Sequence, residues 1–476
     1  MPDRLLAAVR RMRADERGLA LPYALGVTII LSALSVSIFT YTTGNQGAAA
    51  RSAASERAYD LADAGLSYAF STLMNASSPA SSAAVPSTTV SLTGGSVTYG
   101  GTLSGTTWTL TSTSTVSNPS GPHASPITRT VSAQAEVNTN TQADMSPWDY
   151  LFIDQPSGCI TLGNSVTMDL SLYVRGDLCL TNNAQISSPA VNLTGNLYVS
   201  NSAQVGAALS PIPTFKSTGS CYYSAVQLPC GPATHVYANT IGTNPPTVTK
   251  PAIDLAGWYS NADLGPTHNC TTGSFPGGFD TNGVLDVSRG DVDITPSTAY
   301  DCKRIVNGQT VAEIGWTPGS PGTLTIKGVV YFDGNLTWSN LNLITYQGKG
   351  VIYASGQIVI RNRADMCGVA ACDSTWDPTV NLLVLIAGSL ISTTTTDPVS
   401  GEIGNHVNFQ GAIYTVTDFS MDNNTTIWGP VLTRSAAIAN SALLHAPPKP
   451  IQWMNGIPAS TTTQTTVSRT QGSYSG

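Results

Sequence analysis

From Leu19 to Tyr41 the chain runs twenty-three residues without a charge, and none falls between Arg17 and Arg51. As a helix rising ~1.5 Å per residue, that run is ~34 Å long, enough to cross the apolar core of a bilayer. After a polar break, TTGNQG at 42–47, the pattern changes. Ala58, Leu61, Ala62, Gly65, Leu66, Ala69, Phe70 and Leu73 recur at three- and four-residue steps, which predicts an amphipathic helix. Arg57 and Asp60 lie on its other side and pair weakly. Residues 19–74 therefore read as one helix, apolar first and amphipathic after, loosened near Gly44 and Gly47 because glycine weakens helices. From residue 88 the period falls to two. TTVSLTGGSVTYGGTLSGTTWTLTSTSTV (88–116) and PITRTVSAQAEV (126–137) alternate small polar with apolar residues. They predict three or four antiparallel strands over 87–138 on the amphipathic half of the helix, with Val90, Leu92, Val97, Tyr99, Trp108 and Leu110 as their core.

Beyond Trp148 the chain repeats itself. GDLCLTNNAQI starts at Gly176 and GNLYVSNSAQV nineteen residues later at Gly195; GVVYFDGNLTW starts at Gly328 and GVIYASGQIVI twenty-two later at Gly350. LLVLIAGSLIS (382–392), GAIYTVTDFSM (411–421) and WGPVLTRS continue the theme. Short β-runs at this period predict a right-handed parallel β-helix, a solenoid over 148–447 whose coils stack ~4.8 Å apart around an apolar core. The fold class is thus α+β, mostly β. The Pro- and Gly-rich stretch 206–282 reads as a loop insertion or small subdomain. Trp258, Tyr259, Tyr222 and Tyr223 within it offer a carbohydrate platform, with local core as the alternative. HAPPKPIQW ends the solenoid, and 448–476 reads as a mobile tail.

Composition narrows the function. Charged residues make up only 10% of the chain and the net charge is −7, so a phosphate-tracking nucleic-acid binder is excluded. All eight cysteines lie between Cys159 and Cys372. An even number behind an export-type start predicts disulfides. CITLGNSV and CLTNNAQI set Cys159 over Cys179, Cys367 and Cys372 staple RADMCGVAACDS, Cys221 and Cys230 close a similar excursion, and Cys270 and Cys302 remain. This is one of many connectivities that eight cysteines allow. No CxxC or HExxH spacing points to zinc.

The first eighteen residues hold five arginines against Asp3, Asp15 and Glu16, and end in Gly18. This basic leader, the apolar helix behind it and the element DLADAGLSYA together resemble a type IV prepilin, most nearly the PilX-like group of minor pilins, over residues 1 to about 138. The resemblance implies that a prepilin peptidase cuts between Gly18 and Leu19, that the new N-terminus is methylated, and that the freed helices bundle in a pilus or pseudopilus. Asp60, Ala62, Asp63, Ala64, Gly65 and Leu66 are the matching signature. One position departs. Most major pilins carry glutamate as the fifth mature residue; here it is Tyr23, preceded by Pro22. A phenol cannot neutralise a neighbour's amine. As in the K-type pseudopilins at filament tips, that loss implies a minor or tip subunit. The implied location is the inner or cytoplasmic membrane, crossed once by 19–41 with the leader inside, and then the cell surface or pilus. A secretory signal cut after Ala50, leaving Arg51 first, is the rival, but its apolar core should run only ~7–15 residues.

No catalytic residue is expected. FDTNGVLDVSRGDVDITP supplies Asp280, Asp286, Asp291 and Asp293. Asp291 and Asp293 share one face of a strand ~7 Å apart, a spacing that permits glycoside hydrolysis, yet no basic or aromatic cleft accompanies them. Solvated surface acids are the plain alternative. Asp286, Asp291 and Asp293 are also the candidate Ca²⁺ ligands, without an EF-hand loop; no other cofactor is expected. His123, His235, His268, His406 and His445 are scattered, and neither GxSxG nor GK[ST] occurs. The expected protein is a non-enzymatic minor or tip pilin or pseudopilin. Its partners are the prepilin peptidase, other pilins, the membrane, and a surface glycan or protein met by the solenoid. Two alternatives stand beside it: an anchored or secreted β-helix protein that binds or cleaves polysaccharide, and an envelope protein that polymerises through its solenoid, resembling bactofilins in its β-core.

Overall fold

The structure, a computed structural model, describes the backbone of residues 3–120, 124–280, 282–288, 290–339, 343–390 and 398–476, and their side chains from Leu21 onward except at 140–141 and 462–464. The chain divides into two compact units. Met1–Gln142 with Thr463–Gly476 form the first, and Ala143–Thr462 the second.

In the first unit, α1 (Asp3–Met74) is continuous. It runs unbroken through Gly44 and Gly47, and nothing lies within 4 Å of a Cβ placed at either. Pro22 lies inside this uncut helix rather than in its first turn. Its missing N–H leaves the carbonyl of residue 18 without a helical donor. Strands β1 (Thr88–Leu92), β2 (Gly95–Ser104), β3 (Thr107–Val116) and β4 (Ile127–Asp144) form an antiparallel sheet in chain order. Ala62, Leu66, Ala69 and Leu73 of α1 are buried against Trp108, Leu110, Val131, Ala133 and Ala135. The Trp108 indole donates to the Pro79 carbonyl at 2.8 Å, so the buried ring leaves no orphan donor.

The C-terminal residues correct the expected mobile tail. Ser460–Arg469 is a strand on the far side of β4, and Ser475 exchanges backbone hydrogen bonds with Ser132 at 2.8 and 2.9 Å. The second unit is therefore inserted, in chain order, between two neighbouring strands of the first unit's sheet.

That second unit is a stack of parallel coils. Gly328–Phe332 pairs with Gly350–Ala354, and Leu178–Leu180 with Leu197–Val199, at the offsets of the sequence repeats. Inward residues such as Leu151, Leu172, Val191, Val330, Ile352, Leu385 and Ile413 form one continuous apolar core. Coil order differs from chain order. The first coil, from Leu151, has Leu172–Val174 on one side and Val431–Thr433 on the other. The chain winds outward from it to Ala238–Gly242, returns, and winds back from Gly322 until Leu443 and Leu444 pair with Thr167 and Met168. The stack reads as a circularly permuted solenoid.

This return accounts for much of 206–282, which is not simply a loop insertion. Ile212–Ser217 and Ala238–Gly242 extend the stack, and the residues after them cross the outer face of one sheet. A segment crossing strands cannot join their ladders, so its carbonyls need side-chain donors. Tyrosines supply them: Tyr173 donates to Pro246 at 2.8 Å and Tyr414 to Pro251. Lys250 donates to Thr415 and Val416 at 2.6 and 3.2 Å, and burial lowers its pKa to about 8. A second crossing is caught likewise, Tyr353 donating to Gly456 and Trp148 to Pro458. At each solenoid end one ladder turns antiparallel, while Ala238–Gly242 and Asp291–Asp293 close others as parallel edge strands. Cys221–Tyr223 pairs with Val226–Leu228 at one, and Tyr300–Val306 with Gln309–Thr317 at the other.

Candidate functional site

The apolar half of α1 stands without cover. Large hydrophobic residues from Leu21 to Tyr41 are between 52% and 78% exposed. The helix holds an apolar window of mean hydropathy 1.9, none of it buried, long enough to cross a membrane. Tyr23, at the atypical fifth position, is among the exposed residues. Gly18 and Leu19 fall in the helical backbone, but their side chains lie outside the described residues.

The DLADAGLSYA element sits where the same helix passes beneath the sheet. Ala62 and Leu66 are buried, Ala64 is half-buried, and Asp60 and Asp63 face solvent. Gly65 marks the closest approach: a Cβ there would lie 2.3 Å from both Ser112 Oγ and Val97 Cγ2. The element is thus a helix–sheet contact whose glycine lets the strands in.

In the second unit the acids of FDTNGVLDVSRGDVDITP separate into two groups. Asp291 accepts from Asn335 Nδ2 at 3.1 Å, and Asp293 from the Thr295 amide at 2.9 Å and the Ser339 hydroxyl. Both lie on the strand Asp291–Asp293, which pairs with Asn335–Thr337. Asp286 is elsewhere. It meets Asp280 and Asp333, with one oxygen from each of the three within 4.8 Å of the others. Asp333 is fully buried; it accepts from the amides of Asp286 and Val287 at 3.1 Å and from the Ser355 hydroxyl. Burial raises its pKa, the Ser355 hydroxyl and the two amides oppose that, and Asp280 adds to it. Asp286 is held low, first by the Ser288 amide.

Sequence reasoning missed Asp333, which lies forty-seven residues beyond Asp286 in what reads as strand sequence. Tyr259 packs edge-on against Tyr331 with ring centres 5.8 Å apart, and Trp258 stacks on Tyr353 at 5.2 Å, so neither is a free platform for sugar. Tyr222 is half-buried and stacks on Tyr198 at 4.7 Å, and Tyr223 lies against His235.

The eight cysteines form Cys159–Cys179, Cys221–Cys230, Cys270–Cys302 and Cys367–Cys372. His445 bonds Asp169 at 2.8 Å; burial would raise that carboxyl, but His445 and the Ala446 amide together hold it low. His235 and His268 meet backbone carbonyls, while His406 lines an open groove with Arg361, Arg363 and Glu402. His123 lies outside the described residues.

No family model matches the chain, and no curated protein matches it. Among solved structures, the crystal structure of the competence-associated pilin ComZ from Thermus thermophilus is similar at 12% identity, covering 79% of this chain and 84% of its own, with a TM-score of 0.44. A TM-score below 0.5 does not establish a shared fold, and neither chain's role follows from the other's.

Proposed function

We propose that this chain is a minor, non-enzymatic subunit of a type IV pilus-like filament, cut between Gly18 and Leu19, anchored and assembled through the apolar half of α1, and displaying its solenoid to a surface or partner. The uncovered apolar run carries the reading. Twelve large hydrophobic side chains from Leu21 to Tyr41 stand exposed among the described residues, and an exposed apolar face of that size needs lipid or other helices around it. The arginine-rich leader supports the orientation, holding the N-terminus on the cytoplasmic side. Pro22 supports the cleavage. The residue-18 carbonyl it leaves unpaired belongs to the Gly18–Leu19 peptide, so a peptidase meets a bond already short of one helical restraint.

The test is the N-terminal sequence and intact mass of the protein taken from its native membrane. The expected start is Leu19, with or without one added methyl group. A start at Arg51 would make the chain a secreted solenoid, and an intact Met1 a plain membrane anchor; either result overturns the filament reading.

A further inference from the structure

We propose that the open groove beside Arg361, Arg363 and His406 binds a uronate-bearing polysaccharide, its carboxylates held by the two guanidinium groups and its hydroxyls by Glu402. The assignment gives the displayed solenoid a ligand and rests on that half of the filament reading. Cleavage after Gly18 does not enter it.

The use of arginine across the second unit carries the argument. Arg175 pairs with Asp154 at 2.9 Å, Arg434 pairs with Asp418 at 2.8 Å, and Arg304 donates to the Asp263 carbonyl at 2.7 Å. Arg361 and Arg363 have no ion pair and no side-chain hydrogen bond among the described residues. In a chain of net charge −7, acids to pair with are plentiful. Two neighbouring cations left without one repel each other until an anion from outside arrives. Both are exposed and line one groove of about 670 Å³ with Val359, Glu402 and His406. Small-ligand sites span ~300–1,000 Å³.

The coils explain why these groups meet. Ile358–Ile360 pairs in parallel with Gly401–Ile403, which sets Val359 opposite Glu402. Alternation buries Ile358 and Ile360 and leaves Val359 and Arg361 on the outer side. The next coil answers Arg361 with Gly404, whose amide donates to the Ile360 carbonyl at 2.9 Å. With no side chain at Gly404, the surface dips beside the guanidinium. The chain then turns its corner. Arg363 and His406 take the same left-handed conformation one coil apart, with φ of 65° and 58°, and the Arg363 amide donates to the Asn405 carbonyl at 3.0 Å.

A guanidinium fork fits a carboxylate and a phosphate alike. Glu402 decides between them. A bare phosphate would meet its carboxylate with nothing to donate, whereas a sugar acid brings hydroxyls that do. Val359 offers a small apolar surface to the C–H face of a sugar ring. A protein partner fits less well, because protein interfaces centre on aromatic or aliphatic anchors seated in packed pockets. Apart from Val359 and the buried Ile360, the lining offers no apolar wall for one.

The experiment uses the full chain in an uncharged detergent, titrated by calorimetry with oligoalginate, with neutral dextran, with polyglutamate and with inorganic phosphate. Saturable binding of oligoalginate alone is expected, weakening as NaCl rises because exposed charges are screened within ~8–10 Å at physiological ionic strength. Arg361→Gln and Arg363→Gln, at exposed positions that the fold tolerates, should each weaken binding about tenfold, as the loss of a hydrogen bond to a charged group does. The double variant should not bind. Arg434→Gln removes the same charge from an arginine already paired and should bind as the parent does. Absence of saturable oligoalginate binding overturns the proposal, and so does binding that survives the double variant. Equal affinity for polyglutamate or phosphate overturns the sugar assignment. A native start at Met1 would leave this binding as it is, and a failure to bind would leave the start at Leu19 as it is, so the two readings fail separately.

Discussion

The two halves of α1 share one backbone and opposite surroundings. From Leu21 to Tyr41 the side chains are large, often branched, and exposed; from Ala58 to Leu73 the inward ones are alanine, glycine and leucine, and buried. Small residues let a sheet lie close to the helix axis, so burial in the second half follows from what its side chains leave out. The first half lies against nothing among the described residues. A helix is thus divided by its partners, and the half without one is where an assembly or a membrane must supply the contact.

That contrast can be broken from either side. The largest effect is expected from Gly65→Leu, which drives a side chain into Ser112 and Val97 and should destabilise the first unit by about 3 kcal/mol. Thermal unfolding of the full chain should show an early transition, with the solenoid's own transition unmoved. Ile30→Lys attacks the other half. A lysine near the centre of a membrane helix costs roughly 2.5–3.5 kcal/mol, so membrane retention should fall while the unfolding midpoint of the sheet stays put. Carbonate extraction followed by blotting measures the first, and calorimetry the second. The smallest effect sharpens the comparison: Gly47→Ala, at a glycine with nothing within 4 Å, should stabilise α1 by only about 0.5–1 kcal/mol, read as a slight gain in helical circular dichroism on heating. A large loss at Gly47 would show that this glycine, like Gly65, meets a neighbour.

Much of this architecture was legible in the sequence, and the illegible part has a common cause. The amphipathic period picked out Ala58, Ala62, Leu66, Ala69 and Leu73 because helix geometry is local. Repeats such as GVVYFDG and GVIYASG gave the coil offset because stacked strands demand equal lengths. Coil order was not legible. Any two coils with matching apolar alternation can pair, and nothing in residues 151–168 says that both faces are covered. Asp333 was hidden for the same reason, since only the return of the chain carries Asp280 and Asp286 to it. A further signal was present and went unread. Asn164, Asn182, Asn201, Asn362, Asn405, Asn423 and Asn440 each stand two residues before a buried Val, Ala or Thr. They form one hydrogen-bonded column, in which Asn182 donates to Asn164 and Asn164 to Asn440 across the break in chain order. The triplet marks every corner of that column, and aligning the triplets would have exposed the extra coils.

The permuted stack also sets a timetable. A chain made N-terminus first completes residues 151–168 early, but the strands that cover one edge of that coil, Val431–Thr433 and Leu443–His445, follow only after the outward and returning coils between them. Until they arrive the coil keeps an open row of backbone donors and acceptors, able to capture any passing strand. Folding of this protein therefore favours conditions in which the growing chain is shielded, and misassembly between copies should begin at that edge.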